Sequence, residues 1–449
     1  MFPRVFSILT AMALSMAAWS QPLTNLESSS LHFGTSIYPF RKGNEVGWLV
    51  REARELGLTE LRLGYERNLV ERGSRFIDPQ PQVLATLRSS GLDLILTLMG
   101  PGANERGQVV DFPRNSDGTI DGQAAAAGFQ RYVEWVCQQT HSYVGSYELW
   151  NEAFNTISVR AWGKGFGPGA SRQNAENYSK MMLPAAETIK RLAPESNLLV
   201  EGNYWNIPVA NACDSYQSLL SLANFCVYHP YNYNPQAYQP GHFLADIQAN
   251  LSQKHPTISW WYTEYGISPE ALKLPVKQFT GTGQAKAYLR LTALHLSQGI
   301  QHLDPFALYY PSTPEYSFLE ANTRQRRPVF EAMRRLIQAI QPKQPCPHHQ
   351  LTRAGQLPAN LRDLAISRPG GFCYLIWQEA PPEQMENSPS AQTTQIQLQS
   401  STGKLKLKSV LDPISGAQVV AKAAPAAGSG LSLELDVPDY PLICEFESP

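Results

Sequence analysis

Two short runs each bring a carboxylate into surroundings suited to acid, base or nucleophilic work. They are Glu148-Leu149-Trp150-Asn151-Glu152 and Trp260-Trp261-Tyr262-Thr263-Glu264-Tyr265-Gly266. A third run ends Tyr228-His229-Pro230-Tyr231, and a fourth reads Arg62-Leu63-Gly64-Tyr65-Glu66. Hydrolysis of a glycosidic bond uses two carboxyl groups, one to protonate the leaving oxygen and one to attack the anomeric carbon. In retaining enzymes they stand about 5–5.5 Å apart. Glu152 and Glu264 are the candidates for that pair. Aromatic neighbours are expected to desolvate Glu152 and favour its protonated form, as an acid requires. Arg62, with His229 or Tyr231 as a hydrogen-bond donor, can keep Glu264 ionised. Asn151 can bind the sugar hydroxyl beside the reacting carbon.

Such residues must be carried by elements that bring them together. Eight short apolar runs read as strands: Leu31–Tyr38, Glu60–Glu66, Leu92–Gly100, Ser146–Glu152, Asn197–Trp205, Phe225–Tyr231, Ile258–Gly266 and His302–Tyr310. Helical patterns alternate with them near Glu45–Leu56, Pro81–Ser90, Gly122–Gln139, Asn174–Leu192, Ser215–Leu222, His242–Gln253 and Gly283–Ser297, with a last one at Val329–Gln341. Strands alternating with helices imply parallel crossovers. Eight units fit an α/β fold of the (β/α)8 TIM-barrel type, in which reacting groups sit at the C-terminal strand ends. A doubly wound open sheet competes, but it would carry a Gly-rich phosphate turn after the first strand. Ser36-Ile37-Tyr38-Pro39-Phe40 is not one.

Beyond Gln341 the pattern changes. Pro342, Pro345 and Pro347 mark a break, and alternating runs follow at Phe372–Gln378, Thr394–Leu398, Leu405–Leu411, Leu431–Val437 and Leu442–Phe446. This reads as a C-terminal β-sandwich-like domain. The segment Gln21–Ser30 either adds a strand to it or leads into the barrel.

Trp-Asn-Glu at the fourth strand and Thr-Glu-Tyr-Gly at the seventh resemble the acid/base and nucleophile motifs of clan A glycoside hydrolases; His229-Pro230-Tyr231 at the sixth is also typical. Tyr178–Leu192 with Ala193-Pro194, Leu199–Gly202 and Gln284–Gly299 are similar to glycoside hydrolase family 39 and related bacterial exported exopolysaccharide glycosidases. The likeness spans about Phe33 to Gln341. It implies Glu152 as acid/base, Glu264 as nucleophile, and Asn151, Arg62, His229 and Tyr231 in support. Ala153 departs from the pattern, since Pro usually follows the acid/base Glu there. The eighth strand ends in Tyr309-Tyr310 where many clan A members place Trp.

Each supporting residue has a plainer reading beside the functional one. Arg62 serves a barrel equally well as an ion-pair partner, and His229 as a satisfied core histidine. Trp205, Trp260, Tyr309 and Tyr310 are sugar platforms or core. Trp162, in a Gly-rich loop, edges a cleft or sits on a surface insertion. A non-catalytic carbohydrate-binding protein on the same barrel, or a transglycosylase using the same carboxylates, are the alternative activities.

The chain of 449 residues carries 37 basic against 38 acidic side chains, which gives no electrostatic case for nucleic acid. No HExxH occurs and no HxH ends the first strand, so no metal or cofactor is expected. Arg4, the apolar Val5–Ala17 and Ala18-Trp19-Ser20 read as a secretory signal peptide cut before Gln21. The expected domains are therefore residues 1–20 as signal, 21–341 as barrel and 342–449 as the β-domain. The protein is expected to be exported, periplasmic or secreted. It should be a monomer without membrane insertion, acting on a carbohydrate, with an exopolysaccharide as one candidate. An oxidising compartment permits disulfides among the six Cys, Cys213 and Cys226 being close enough in sequence to bridge.

Overall fold

The computed structural model describes residues 23–41, 44–78, 80–153, 168–202 (side chains from 172), 213–231, 255, 258–270, 279–341, 350–355, 357–380, 390–401, 403–426 and 430–447. The chain falls into two compact units, each discontinuous in sequence. One comprises His32–Gln278 and Ile300–Phe330. The other comprises the segment up to Leu31, Phe279–Gly299 and Glu331–Pro449. This division differs from a linear boundary after residue 341, because residues 21–31, 279–299 and 331–341, all from within the expected barrel, cluster with the C-terminal residues.

The first described strand, β1 (Thr24–Glu27), belongs to the second unit. The first unit is organised by one parallel sheet of β2 (His32–Phe33), β3 (Ser36–Ile37), β4 (Glu60–Glu66), β5 (Asp93–Met99), β6 (Ser146–Leu149), β7 (Asn197–Glu201), β8 (Phe225–Val227), β9 (Ser259–Tyr265) and β10 (His302–Pro305). The spatial order is β2-β10-β9-β8-β7-β6-β5-β4-β3. The two outermost members are consecutive pieces of one stretch. Its start pairs with the last strand (His302↔His32) and its end with the second (Ser36↔Arg62). That is consistent with a (β/α)8 barrel whose first strand is split. All eight expected strand runs contain an observed strand. Residues buried on both faces explain why they read as continuous apolar runs. Ile95, Leu199 and Val227, with Phe225 and Trp261, form an apolar cluster drawn from four strands of the sheet.

The helices of eight or more residues among the described residues are α1 (Val46–Leu56), α2 (Pro81–Arg88), α3 (Gly122–Thr140), α4 (Pro168–Leu192), α5 (Asp214–Leu222), α6 (Gly281–Ser297) and α7 (Pro328–Ile340). Their ends follow local chemistry. Asp121 accepts from the Ala124 amide at the start of α3, and Thr280 accepts from the Gly283 amide at the start of α6. Gly57, at φ 92°, ends α1 in the left-handed conformation that glycine adopts without steric cost. The helix expected at His242–Gln253 lies outside the described residues.

In the second unit β1 extends a five-stranded sheet. It pairs in parallel with β12 (Leu361–Arg368), beyond which lie β13 (Gly371–Gln378), β18 (Leu442–Glu447) and β15 (Lys406–Leu411). A four-stranded antiparallel sheet is ordered β11 (Leu351–Ala354), β14 (Gln392–Ser400), β17 (Leu431–Val437) and β16 (Lys422–Pro425). Both sheets feed one hydrophobic cluster that includes Phe372, Tyr374, Ile396, Leu398, Leu433 and Phe446. Strand β13 is buried along its whole length. Within this unit α6 sends Arg290 to Asp439, Lys286 stands 3.5 Å from the same carboxylate, and Arg335 of α7 bonds the Pro413 and Ile414 carbonyls. β11, β12 and β16 were not expected from the sequence; β12 alternates too weakly and β16 is short and exposed.

The Cys213–Cys226 bridge that their sequence spacing would permit is not formed. Cys137, Cys213, Cys226, Cys373 and Cys444 are all free and buried. Cys213 precedes α5 and Cys226 lies within β8, so burial in the core is what these thiols share. No described helix is long and apolar enough to cross a membrane. The signal segment lies outside the described residues.

Candidate active site

The C-terminal ends of β4, β6, β8 and β9 bring eight polar side chains together. Arg62, on β4 and buried, is the hub. Its Nε donates to Glu148 Oε2 at 2.6 Å and one Nη donates to Asn151 Oδ1 at 2.7 Å. The other Nη donates to Glu264 Oε1 and reaches Ser36 Oγ at 3.3 Å. One guanidinium thus fixes three separate strand ends. This decides between the two readings of Arg62: it is a structural ion-pair partner and part of the site at once.

Glu264 receives a second donor, the Tyr231 hydroxyl. A register shift lies between Tyr262 and Tyr265 of β9. Such a bulge can turn adjacent residues to one side. Here Thr263 and Glu264 both face site groups: Thr263 Oγ1 donates to Glu148 Oε1 at 3.2 Å while Glu264 takes Arg62 and Tyr231. Burial and the neighbouring Glu264 push the Tyr231 hydroxyl well above the usual tyrosine range, so it remains a donor.

Glu152 follows a distorted strand end. Trp150 (φ 76°) and Glu152 (φ 50°) both occupy the left-handed region, costly for non-glycine residues. The Trp150 amide still bonds the Leu98 carbonyl at 3.0 Å, and its ring lies against Phe112 and Phe129. The Glu152 side chain keeps 25% exposure, and its Oε1 lies 3.3 Å from Nδ1 of His229. Ala153, where related barrels place Pro, is buried.

His229 sits among three carboxylates. Nδ1 is 3.3 Å from Glu152 and 3.7 Å from Glu264, while Nε2 bonds Thr263 Oγ1 at 3.0 Å and stands 3.8 Å from Glu148. Burial opposes its charge, but Glu264, Glu148 and Glu152 outweigh it and hold the ring as imidazolium, with a pKa of about 10. Oxygens of Glu152 and Glu264 and a ring nitrogen of His229 all lie within 4.8 Å of one another. That triad has the spacing of metal ligands, but Arg62 and Tyr231 already occupy the Glu264 oxygens and Thr263 the second ring nitrogen of His229.

Two carboxylates were missed. Glu148 is fully buried, and it accepts from Arg62, Thr97 and Thr263. Burial alone would raise its pKa; Arg62 and His229 overcome that and bring it down to about 2. Two-residue periodicity from Glu152 back through Trp150 to Glu148 was the available signal. Glu201, at the end of β7, is raised to about 8 by burial, reinforced by Glu148 and Glu152 against His229.

A cavity of about 270 Å³ opens over this cluster, lined by Tyr38, Arg41, Glu66, Asn151, Glu264 and Tyr310 among others. The Tyr38 and Tyr310 rings lie 4.8 Å apart, and the Arg41 guanidinium stacks over both. Tyr309 is a correction to the sequence reading. It is buried, its hydroxyl bonds the Ala321 carbonyl at 2.9 Å, and its ring packs edge-on against Trp48. Adjacent residues at an extended strand end face opposite ways, so Tyr310 faces the cavity and Tyr309 the core. Trp260 packs its ring over Gly202. Trp205 and Trp162 lie outside the described residues.

No family model and no curated protein matches this sequence. Solved structures do. The chain is similar to a family 39 glycoside hydrolase from Bacteroides cellulosilyticus, with TM-score 0.63 and 16% identity over 94% of this chain and 82% of that one. It is similar to a family 30 endoxylanase from Clostridium papyrosolvens, with TM-score 0.59 and 11% identity over 96% and 98%. It is also similar to a family 30 subfamily 8 xylanase from Clostridium acetobutylicum, with TM-score 0.57 and 9% identity over 95% and 99%. At such identities the likeness is one of fold.

Proposed function

We propose that this protein is an exported retaining glycoside hydrolase. It carries a closed (β/α)8 catalytic barrel and a β-sandwich-like domain, and it cuts O-glycosidic bonds of a poly- or oligosaccharide. The observation that carries the reading is the approach of Glu152 and Glu264 to within 4.8 Å, oxygen to oxygen, beside the cavity. That spacing suits double displacement rather than the wider gap of about 6.5–9.5 Å that leaves room for an inverting water. The solved structures of similar fold are named as glycoside hydrolases and xylanases, which supports the same class.

Glu264 attacks the anomeric carbon. Arg62 and Tyr231 hold one oxygen each, which aims the carboxylate. The leaving oxygen takes a proton from Glu152; in the second half a water attacks the glycosyl-enzyme bond and returns a proton to Glu152. The Glu152 side chain is a quarter exposed, and His229 Nδ1 lies 3.3 Å from its Oε1, within reach for passing a proton to it. Asn151, held by Arg62, is placed for the hydroxyl next to the reacting carbon. Tyr310 and Tyr38 form a platform at the cavity wall.

Export rests on the Arg4 and Val5–Ala17 signal pattern. An exopolysaccharide substrate rests on the resemblance noted above. An activated 2-fluoro glycoside should trap the intermediate, and peptide mapping should find the label on Glu264. Label on another residue would overturn the assignment, and binding of glycans without cleavage would favour a non-catalytic protein.

A further inference from the structure

At the opposite end of the parallel sheet three further titratable residues converge. Glu60 is the first residue of β4, and His302 and Asp304 lie on β10. All three are buried, at 6%, 2% and 0% exposure. One oxygen of each carboxylate and a ring nitrogen of His302 lie within 4.8 Å of one another. Nε2 of His302 is 2.7 Å from Glu60 Oε1 and 3.5 Å from Asp304 Oδ1. Neither approach is aligned as a hydrogen bond. Glu60 Oε1, both ring nitrogens of His302 and both oxygens of Asp304 have no hydrogen-bond partner among the described residues.

Buried polar atoms are almost always paired, and five unpaired atoms in one cluster call for an explanation. An ion pair at Nε2 of His302, which both carboxylates approach, is incomplete: one N–H cannot serve Glu60 and both oxygens of Asp304, and Nδ1 is left over. A cation between the three would satisfy all of them and offset the buried negative charge. We infer that Glu60, His302 and Asp304 form a binding site for one divalent transition-metal ion of the zinc type. An imidazole nitrogen with two carboxylate oxygens favours such an ion over calcium or magnesium, which prefer all-oxygen surroundings.

The local fold is shaped around this point. Gly34 lies on the split first strand between the two strands that carry the ligands. A Cβ there would collide with Asp304 and stand 3.1 Å from Glu60 Oε1, so the absent side chain is what lets the two carboxylates meet. The His302 ring is held between Trp261, at 3.7 Å and 11°, and His32, at 5.8 Å and 17°. His32 and Asp93 are exposed at the same end of the sheet, which gives an ion a polar route in. The ion would tie β4 to β10 across the first strand. This inference is independent of the glycosidase reading.

The test uses the full, untagged chain, stripped with chelator, dialysed, and titrated with zinc chloride. After gel filtration, elemental analysis should find one zinc per chain. Occupancy should fall at least tenfold in His302→Gln and in Asp304→Asn, and stay at one in Glu264→Gln. Zinc that is lost in Glu264→Gln but kept in His302→Gln would place the ion in the cleft and overturn the inference. So would the absence of bound zinc in the unaltered chain. Since the variants can fail to fold, anomalous scattering at the zinc edge from crystals of the unaltered chain supplies a second readout. A peak between Glu60, His302 and Asp304 is expected, and density only elsewhere would contradict it.

Discussion

Glu60 and Arg62 stand two residues apart on β4 and share one face of it, yet they head opposite kinds of cluster. Arg62 donates to Glu148, Glu264, Asn151 and Ser36. Glu60 meets His302 and Asp304 with its Oε1 left unpartnered. In the upper cluster the chain supplies its own cations, Arg62 and the His229 imidazolium, and nearly every oxygen is used. In the lower one the anions outnumber the available donors. A buried charge is tolerated when neighbours complete it and is a liability when they do not. The contrast separates a site finished by the polypeptide from one that calls for an ion.

The largest effect should come from the upper cluster's reacting oxygen. Glu264→Gln removes the nucleophile and should lower kcat by about a thousandfold or more, with the fold intact by circular dichroism. Next, Glu148→Gln breaks the fully buried pair with Arg62. It should cost about 3–5 kcal/mol in denaturant unfolding, because the guanidinium is left partly unpaired. A loss within the range of surface substitutions would show that the other Arg62 partners suffice.

His229→Gln should separate the acid step from the rest. Rates with poor leaving groups should fall about 10–100-fold further than rates with activated aryl glycosides, which need no proton. Equal losses for both would remove His229 from the proton path. The same residue sets a pH signature. Its folded pKa of about 10 exceeds the unfolded 6.5, so its contribution to stability is complete below pH 6.5 and is lost as pH rises towards 10. Glu148 has the opposite sign: with its pKa brought from 4.5 to about 2, its contribution holds above pH 4.5 and is lost as pH falls towards 2. Thermal midpoints against pH in His229→Gln and Glu148→Gln should each flatten the corresponding limb most and the other in part, because each group helps set the other's pKa. The smallest effect belongs to the lower cluster. In chelator, Asp304→Asn should leave the chain as stable as the parent or about 1 kcal/mol more so, since both buried oxygens of Asp304 lack a hydrogen-bond partner among the described residues. With zinc added, the order should reverse.

Much of the upper site could be read from the sequence, and the reason is local. Glu152, Asn151, Glu264, His229 and Tyr231 each end an apolar run, and strand ends on one side of a parallel sheet must converge. Glu148 was less visible, because a carboxylate in the middle of an apolar strand looks like a motif letter until Arg62 is known to face it. Tyr309 and Tyr310 could not be told apart, because the turn after β10 decides which of two adjacent tyrosines faces the cavity. The lower cluster left almost no trace. His302 and Asp304 form a two-residue pattern on one strand, but Glu60 lies far away in sequence and Gly34 marks the meeting point only by lacking a side chain. Closure of the sheet through the two halves of residues 32–37 is what makes β4 and β10 neighbours of one strand.

The central claim is that Glu152 and Glu264 act together by double displacement. It is tested most directly by following the anomeric proton of the first-formed sugar by NMR, on whichever glycan a panel digestion shows to be cut. The account predicts that the product first appears with the anomeric configuration of the substrate and equilibrates only later by mutarotation. A first-formed product of opposite configuration would mean direct attack by water, and the closely set carboxylates would then have been assigned the wrong chemistry.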